Sequence, residues 1–158
     1  MGKDWGAVDL RDLFDDLVRF ETMLWNRVDL RLQQECGVTL SALNVMMVID
    51  RIPSCRVFDI ASALEITVGG TSQAVDRLEA AGYCTRRANP ADRRSSILDL
   101  TPAGSATVAT ATPIFDDELE SLLRAPLSPT ALRELGEALR TVRRAASTRR
   151  GDALEGQR

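Results

Sequence analysis

Residues 77–104, RLEAAGYCTRRANPADRRSSILDLTPAG, pass from the end of one helix to the start of another through what reads as a hairpin. RLEAA closes an amphipathic stretch and Gly82 stops it. YCTRRA and SSILDL read as short extended segments. Between them Asn89-Pro90 favours turn initiation, and Asp92 can cap the turn through its own side chain. Thr101-Pro102 then places threonine at an N-cap and proline at the first helical position. The tip carries two adjacent arginines, Arg93 and Arg94. Exposed there, they contribute little to stability, and a merely solvated turn is the plain alternative to a working one.

The helix that feeds this hairpin is the most informative in the chain. Thr67 is its N-cap and VGGTSQAVDRLEAA its body. Helical periodicity gathers Val68, Thr71, Val75 and Leu78 on a face to be buried. Gly69, Gly70, Ser72, Gln73, Asp76 and Arg77 fall mainly on the other. That outward face is small and polar at its start and ends in a cation. Two glycines here cost up to about 1 kcal/mol each relative to alanine, less near a helix end. Close approach of another backbone is the usual compensation.

Upstream, FDIASAL (58–64) reads as a short helix. Before it SALNVMMVIDR, opened by Thr39 and ended by Pro53, is apolar on nearly every side and therefore central. Residues 9–35 form one long helix, with Leu10, Leu13, Leu17, Phe20 or Glu21, Leu24, Val28 and Leu32 at spacings of three and four. Phe14, Val18 and Trp25 widen its stripe beyond what one neighbouring helix would cover, and Gly37 stops it. Downstream, a helix runs from 102 to about 124 with Pro113 as a candidate kink. After a turn at Pro126 and Pro129, TALRELGEALRTVRRAA makes a last amphipathic helix striped by Leu132, Leu135, Leu139 and Val142. Residues 147–158 read as a polar, frayed tail. The expected fold is a single domain, mainly α with a small β-hairpin. A winged helix-turn-helix lobe (38–104) is flanked by helical dimerisation regions (9–37 and 102–146). In such a lobe the second helix of the pair enters the major groove of DNA, and the hairpin reaches the adjoining minor groove, whose potential attracts arginine.

Composition narrows the alternatives. The chain has 158 residues and no histidine, which removes Ser-His-Asp and Cys-His nucleophilic machinery and the commonest metal ligand. No carboxylate pair stands out for acid–base work, so no enzyme, metal or cofactor is expected. Cys36, Cys55 and Cys84 are an odd number without a CxxC pairing and are expected to be free thiols. No apolar run approaches the roughly 20 residues of a membrane span, and the first dozen residues lack an apolar signal core, so a cytoplasmic location is expected. The net charge of −3 hides a local excess. Within 77–94, Arg77, Arg86, Arg87, Arg93 and Arg94 face only Glu79 and Asp92, a local balance of +3. The local field decides contact with phosphate.

The combination DRLEAAG, a strand ending in RR, the turn DRR and the helix opening LTPAG closely resembles the multiple-antibiotic-resistance regulator (MarR) family. The resemblance is specific over residues 61–104 and covers 9–146 in outline. It implies a homodimeric, ligand-responsive transcriptional regulator, in which the terminal helices intertwine and each subunit offers a winged helix to a palindromic operator. The family's polar recognition positions fall here on Thr71, Ser72, Gln73 and Arg77, and its wing aspartate and arginines on Asp92, Arg93 and Arg94. Position 73, often basic in the family, is glutamine here, a side chain able to read adenine bidentately. The candidate DNA-contacting set is thus Thr67, Gly69, Gly70, Thr71, Ser72, Gln73, Arg77, Arg86, Arg87, Asp92, Arg93, Arg94 and Ser95. Strand alternation turns one of Arg86 and Arg87 inward or sideways, leaving one for phosphate.

Trp25, Met46, Met47 and Phe115 are candidates to line a pocket for the small aromatic or acidic effectors that the resemblance implies, with core packing as the competing role. A branch of the family senses peroxide through a thiol near the start of the first long helix, but Leu10–Arg19 contains no cysteine here, and low thiolate character is expected of all three. Two other classes compete with a DNA-binding regulator. A winged-helix protein-interaction module would not need Arg93, Arg94 or the glycine-smoothed face. A thiol-based redox regulator would need a reactive cysteine.

Overall fold

A computed structural model describes the backbone of residues 8–155 and the side chains of residues 8–146. The elements follow in the order α1 (Leu10–Cys36), α2 (Leu40–Arg51), α3 (Val57–Leu64), α4 (Val68–Ala80), β1 (Cys84–Ala88), β2 (Ser96–Leu100), α5 (Pro102–Leu119), a π-helical turn (Glu120–Arg124) and α6 (Pro129–Glu155). The chain divides into two compact units, one up to Asp116 and one from Asp117 onward. The first contains the whole helix-turn-helix and its hairpin. The reading of residues 1–7 as lacking a signal core lies outside the described residues.

Helix α2 is central because it is apolar on several sides. Val45, Met46, Val48 and Ile49 join Cys55, Ile60, Val75, Leu78, Cys84 and Leu98 in one cluster, which holds α3, α4 and the hairpin together. Leu40 and Leu43 join Val28, Leu32, Val38 and Ala111 in a second, which ties α1 and α5 to the same helix. A polar contact fixes the α1–α2 corner, where the Leu40 amide donates to the Asp29 carboxylate at 2.7 Å. Thr39 caps α2 by accepting from the Ala42 amide.

The termini of α4 are chemically explicit. The Thr67 hydroxyl accepts from the Gly70 amide at 3.1 Å. At the other end Gly82, in the left-handed region with φ +78°, lets the Tyr83 amide reach back to the Leu78 carbonyl at 2.9 Å. The chain then enters β1, which pairs antiparallel with β2 in the register Cys84–Leu100, Arg86–Leu98 and Ala88–Ser96. The outer edge of β2 is covered at one point, where the Leu98 amide donates to the Cys55 carbonyl at 2.8 Å. At the hairpin base Thr101 donates from its amide to the Tyr83 carbonyl and from its hydroxyl to the Gly82 carbonyl, while that hydroxyl caps α5 by accepting from the Gly104 amide.

Two expectations need correction, and the helix expected from 102 to about 124 changes type near its end. Val68 is exposed, because it sits at the first position of α4, beyond the edge of the cluster that takes Thr71, Val75 and Leu78. The helix after the wing is α-helical only to Leu119 and finishes in a π-turn closed by the Ala125 amide on the Glu120 carbonyl at 2.9 Å. The stretch read as a frayed tail from 147 is helical to Glu155; its side chains and residues 156–158 lie outside the described residues.

Candidate nucleic-acid interface

The wing tip is built by two side-chain caps. Asn89 Oδ1 accepts from the Ala91 amide at 3.0 Å, and Asp92 Oδ1 accepts from the Arg94 amide at 2.9 Å. Ser95 is bound into the same turn: its amide donates to the Asp92 carbonyl, and its hydroxyl accepts from Asn89 Nδ2 at 2.8 Å. These bonds set the backbone direction at Arg93 and Arg94. Both side chains are exposed and have no hydrogen-bond or ion-pair partner among the described residues. Asp92 and Ser95 are consumed in shaping the tip that carries the arginines.

The other cations of the lobe divide sharply. Arg56 is paired with Asp59, which also accepts from the Arg56 amide at 2.9 Å and thereby caps α3. That hydrogen bonding holds the Asp59 carboxyl below its usual range. Arg87 pairs diagonally across the hairpin with Asp99. Arg86, on the same face as buried Leu98, turns inward and pairs with both Glu79 at 3.0 Å and Asp76 on α4. By contrast Arg51, Arg77, Arg93 and Arg94 have no ion-pair partner among the described residues. The +3 of residues 77–94 is therefore concentrated at the end of α4 and the wing tip. Arg86 is corrected from a phosphate contact to a strut locking β1 against α4. Replacing it with alanine is expected to leave the hairpin paired but free to rock. Amide exchange at Arg93–Ser95 should rise while α2 stays protected; unchanged exchange at the tip would show that the strut holds nothing.

On α4, Thr71 is also corrected. It is completely buried, and its hydroxyl donates to the Thr67 carbonyl at 2.9 Å, so it faces the core. Thr67 itself spends its hydroxyl on the cap. What remains outward is Gly69, Gly70, half-buried Ser72, exposed Gln73 and exposed Arg77. Nothing lies within 4 Å of where a Gly69 side chain would begin, so no contact inside the chain requires glycine there. At Gly70 the added carbon would meet the capping Thr67 hydroxyl at 3.1 Å. Gln73 has no hydrogen-bond partner among the described residues, which leaves its amide free for an external donor–acceptor pair.

The four effector-pocket candidates do not converge. Met46 is completely buried in the first cluster, while Met47 and Phe115 pack against the second. Trp25 is exposed and lines a shallow depression made only with Glu21, Thr22 and Asn26 from its own helix. Sequence reasoning passed over a different concavity of about 280 Å³ between the α1–α2 corner and the C-terminal half of α4, where Thr39, Ser41 and Arg77 surround Val38, Ala42 and Leu78. Its signal was present only as polar residues on separate elements. The Cys55 and Cys84 thiols are poorly suited to sensing. Burial, then the Asp59 charge, pushes Cys55 up to about 11, and burial with Glu79 raises Cys84.

A capped helix with a smooth polar face, beside a hairpin with an arginine tip, defines a winged helix-turn-helix protein. Residues 37–95 match the MarR family model. The HTH-type transcriptional regulator BilQ of Clostridium symbiosum is 32% identical over 96 residues, a match spanning 59% of this chain and 66%, just under two thirds, of that relative. Sco3205, a MarR family transcriptional regulator from Streptomyces coelicolor crystallised in complex with DNA, superposes with TM-score 0.82 at 24% identity, covering 90% of this chain and 94% of that one. CouR from Rhodococcus jostii RHA1, bound to p-coumaroyl-CoA, superposes with TM-score 0.73 at 18% identity, covering 83% and 91%. Residues 37–95 thus carry a MarR family winged helix-turn-helix, and the chain has the fold of MarR family transcriptional regulators.

Proposed function

We propose that this protein is a repressor that binds a palindromic operator as a homodimer, with α4 in the major groove and the wing in the minor groove, and that a small aromatic or acidic effector releases it. The observation that carries the reading is the division of the arginines. Arg56, Arg86 and Arg87 are neutralised within the lobe, whereas Arg93 and Arg94 are held outward at a tip braced by Asp92. An unpaired cation pair on a braced turn is suited to the negative potential of a narrow minor groove. DNA in the Sco3205 crystal and a coenzyme A thioester in that of CouR support the two halves of the reading. Among the described residues no helix is long and apolar enough to cross a membrane, and a DNA ligand is in keeping with a cytoplasmic location. A gel shift with the DNA upstream of the protein's own gene tests the proposal. A discrete complex that survives excess random duplex supports it, and binding no stronger than to random duplex counts against it.

Dimerisation supplies the second half-site. Every residue from Leu10 to Arg19 is exposed, and α1 leaves Leu10, Phe14 and Leu30 more than half exposed. On α6, Leu139 and Val142 are exposed too. Apolar area on this scale on a monomer marks an interface. Sedimentation at micromolar concentration is expected to give a dimer, and a chain lacking residues 10–24 a monomer. Effector release then acts through geometry. Two recognition helices must sit about 34–36 Å apart to enter successive major grooves, and a ligand moves that spacing only insofar as it binds one arrangement better.

A further inference from the structure

The fold gives the exposed side chain of Val68 no packing role. Valine at the first position of α4 is 52% exposed, belongs to neither core cluster, and the cap at this end is made by Thr67. Its neighbour along the chain, Gly69, has open space where a side chain would stand, and Ser72 lies one turn further along the same side of the helix. The start of α4 therefore presents one compact apolar group next to a glycine. Elsewhere the outward face is polar, through Ser72, Gln73 and Arg77.

We infer that Val68 is a specificity-determining residue that reads the C5-methyl group of a thymine in the operator half-site. The inference rests on the proposed placement of α4 in the major groove. In helix-turn-helix docking the N-terminal residues of the second helix contact base edges. The thymine methyl is the one apolar feature of the major-groove edge, and a small aliphatic group is its natural partner. Val68 already stands outside the core, so the contact removes apolar surface from water on each partner without disturbing the lobe. The glycine at 69 lets the backbone come close enough for a side chain as short as valine to reach. The pairing also complements Gln73, whose amide suits adenine, so that one helix would discriminate both members of an A·T pair type by different chemistry.

The test begins with a site selected from a random duplex library by the full-length protein. Each thymine of that site is then replaced singly, in both half-sites, by deoxyuridine, which removes only the methyl group. One position is expected to cost wild-type protein about fourfold in affinity per half-site, the scale of one buried methyl. Val68→Ser should bind the thymine site that much more weakly and be indifferent to the replacement. Val68→Thr, which keeps one γ-methyl, should retain sensitivity. Gln73→Ala serves as the contrast, losing base discrimination while keeping the methyl effect. Wild-type indifference to every replacement would overturn the assignment, as would equal sensitivity in wild type and Val68→Ser. Failure of the library to yield any preferred sequence would instead overturn the placement of α4 itself. Unchanged melting temperature in Val68→Ser ties a loss of affinity to the contact.

Discussion

The Arg93→Ala/Arg94→Ala double variant is expected to fold and dimerise normally and to lose operator affinity on the order of a thousandfold, taking about 1 kcal/mol for each of the four arginines that a dimer presents. Neither guanidinium has an intramolecular partner among the described residues, so folding gives up nothing when they are removed. The turn survives because its bonds come from Asn89, Asp92 and Ser95. Salt dependence supplies the sharper readout. Each phosphate left without its arginine should make the slope of log affinity against log salt shallower by roughly one unit. Measured across a salt series on specific DNA, unchanged affinity and slope would mean that the tip is only a solvated turn. Asp92→Ala should reproduce part of the loss while both cations remain, since it removes the carboxylate that accepts from the Arg94 amide.

The second large effect is on stability. Gly104→Ala is expected to destabilise the lobe by about 3 kcal/mol, at the upper end for overpacking. A carbon added at Gly104 would lie 2.0 Å from the Tyr83 carbonyl oxygen and 3.0 Å from its carbon. Those are backbone atoms and cannot swing away. The same carbonyl accepts from the Thr101 amide at 3.0 Å, so any shift that relieves the clash strains the junction where α5 leaves the hairpin. The melting temperature should fall by roughly 6–12 °C for a chain of this size. Operator binding at a temperature where the variant is still folded should fall as well, because the wing base is displaced. Wild-type thermal stability in Gly104→Ala would show that the α5 start is not packed this tightly against Tyr83.

The helices and hairpin are legible in the chain because their signals are local. Thr39, Thr67 and Thr101 each cap the helix that begins at the next residue, Gly82 stops α4 where it stands, and Asp92 braces the short turn that carries Arg94. The outward polar set on α4 comes from a period of 3.6 alone. At the ends of that helix the same periodicity misleads. It cannot tell how far a core extends, and so it places Val68 with a cluster that stops short of it. Thr71 can be read two ways, as a polar recognition position or as part of the buried stripe. A hydroxyl that returns its hydrogen bond to the Thr67 carbonyl lets threonine serve in the core.

Charge is the part that only the tertiary structure decides. Five arginines between 77 and 94 look equivalent in a one-dimensional count. Their fates depend on carboxylates as far away in sequence as Asp99 from Arg87 and Asp76 from Arg86, brought within reach by the hairpin register and the packing of β1 on α4. Pocket candidates are parted for the same reason, since Met46, Met47, Phe115 and Trp25 look alike in the chain while separate clusters and an exposed helix face set their places. The amino-acid order by itself determines everything that depends on neighbours within about one turn: caps, stops, the braced tip and the amphipathic faces. Which cations stay unpaired, which face ends at the core's edge and why position 104 must lack a side chain depend on groups that meet only when the chain is folded.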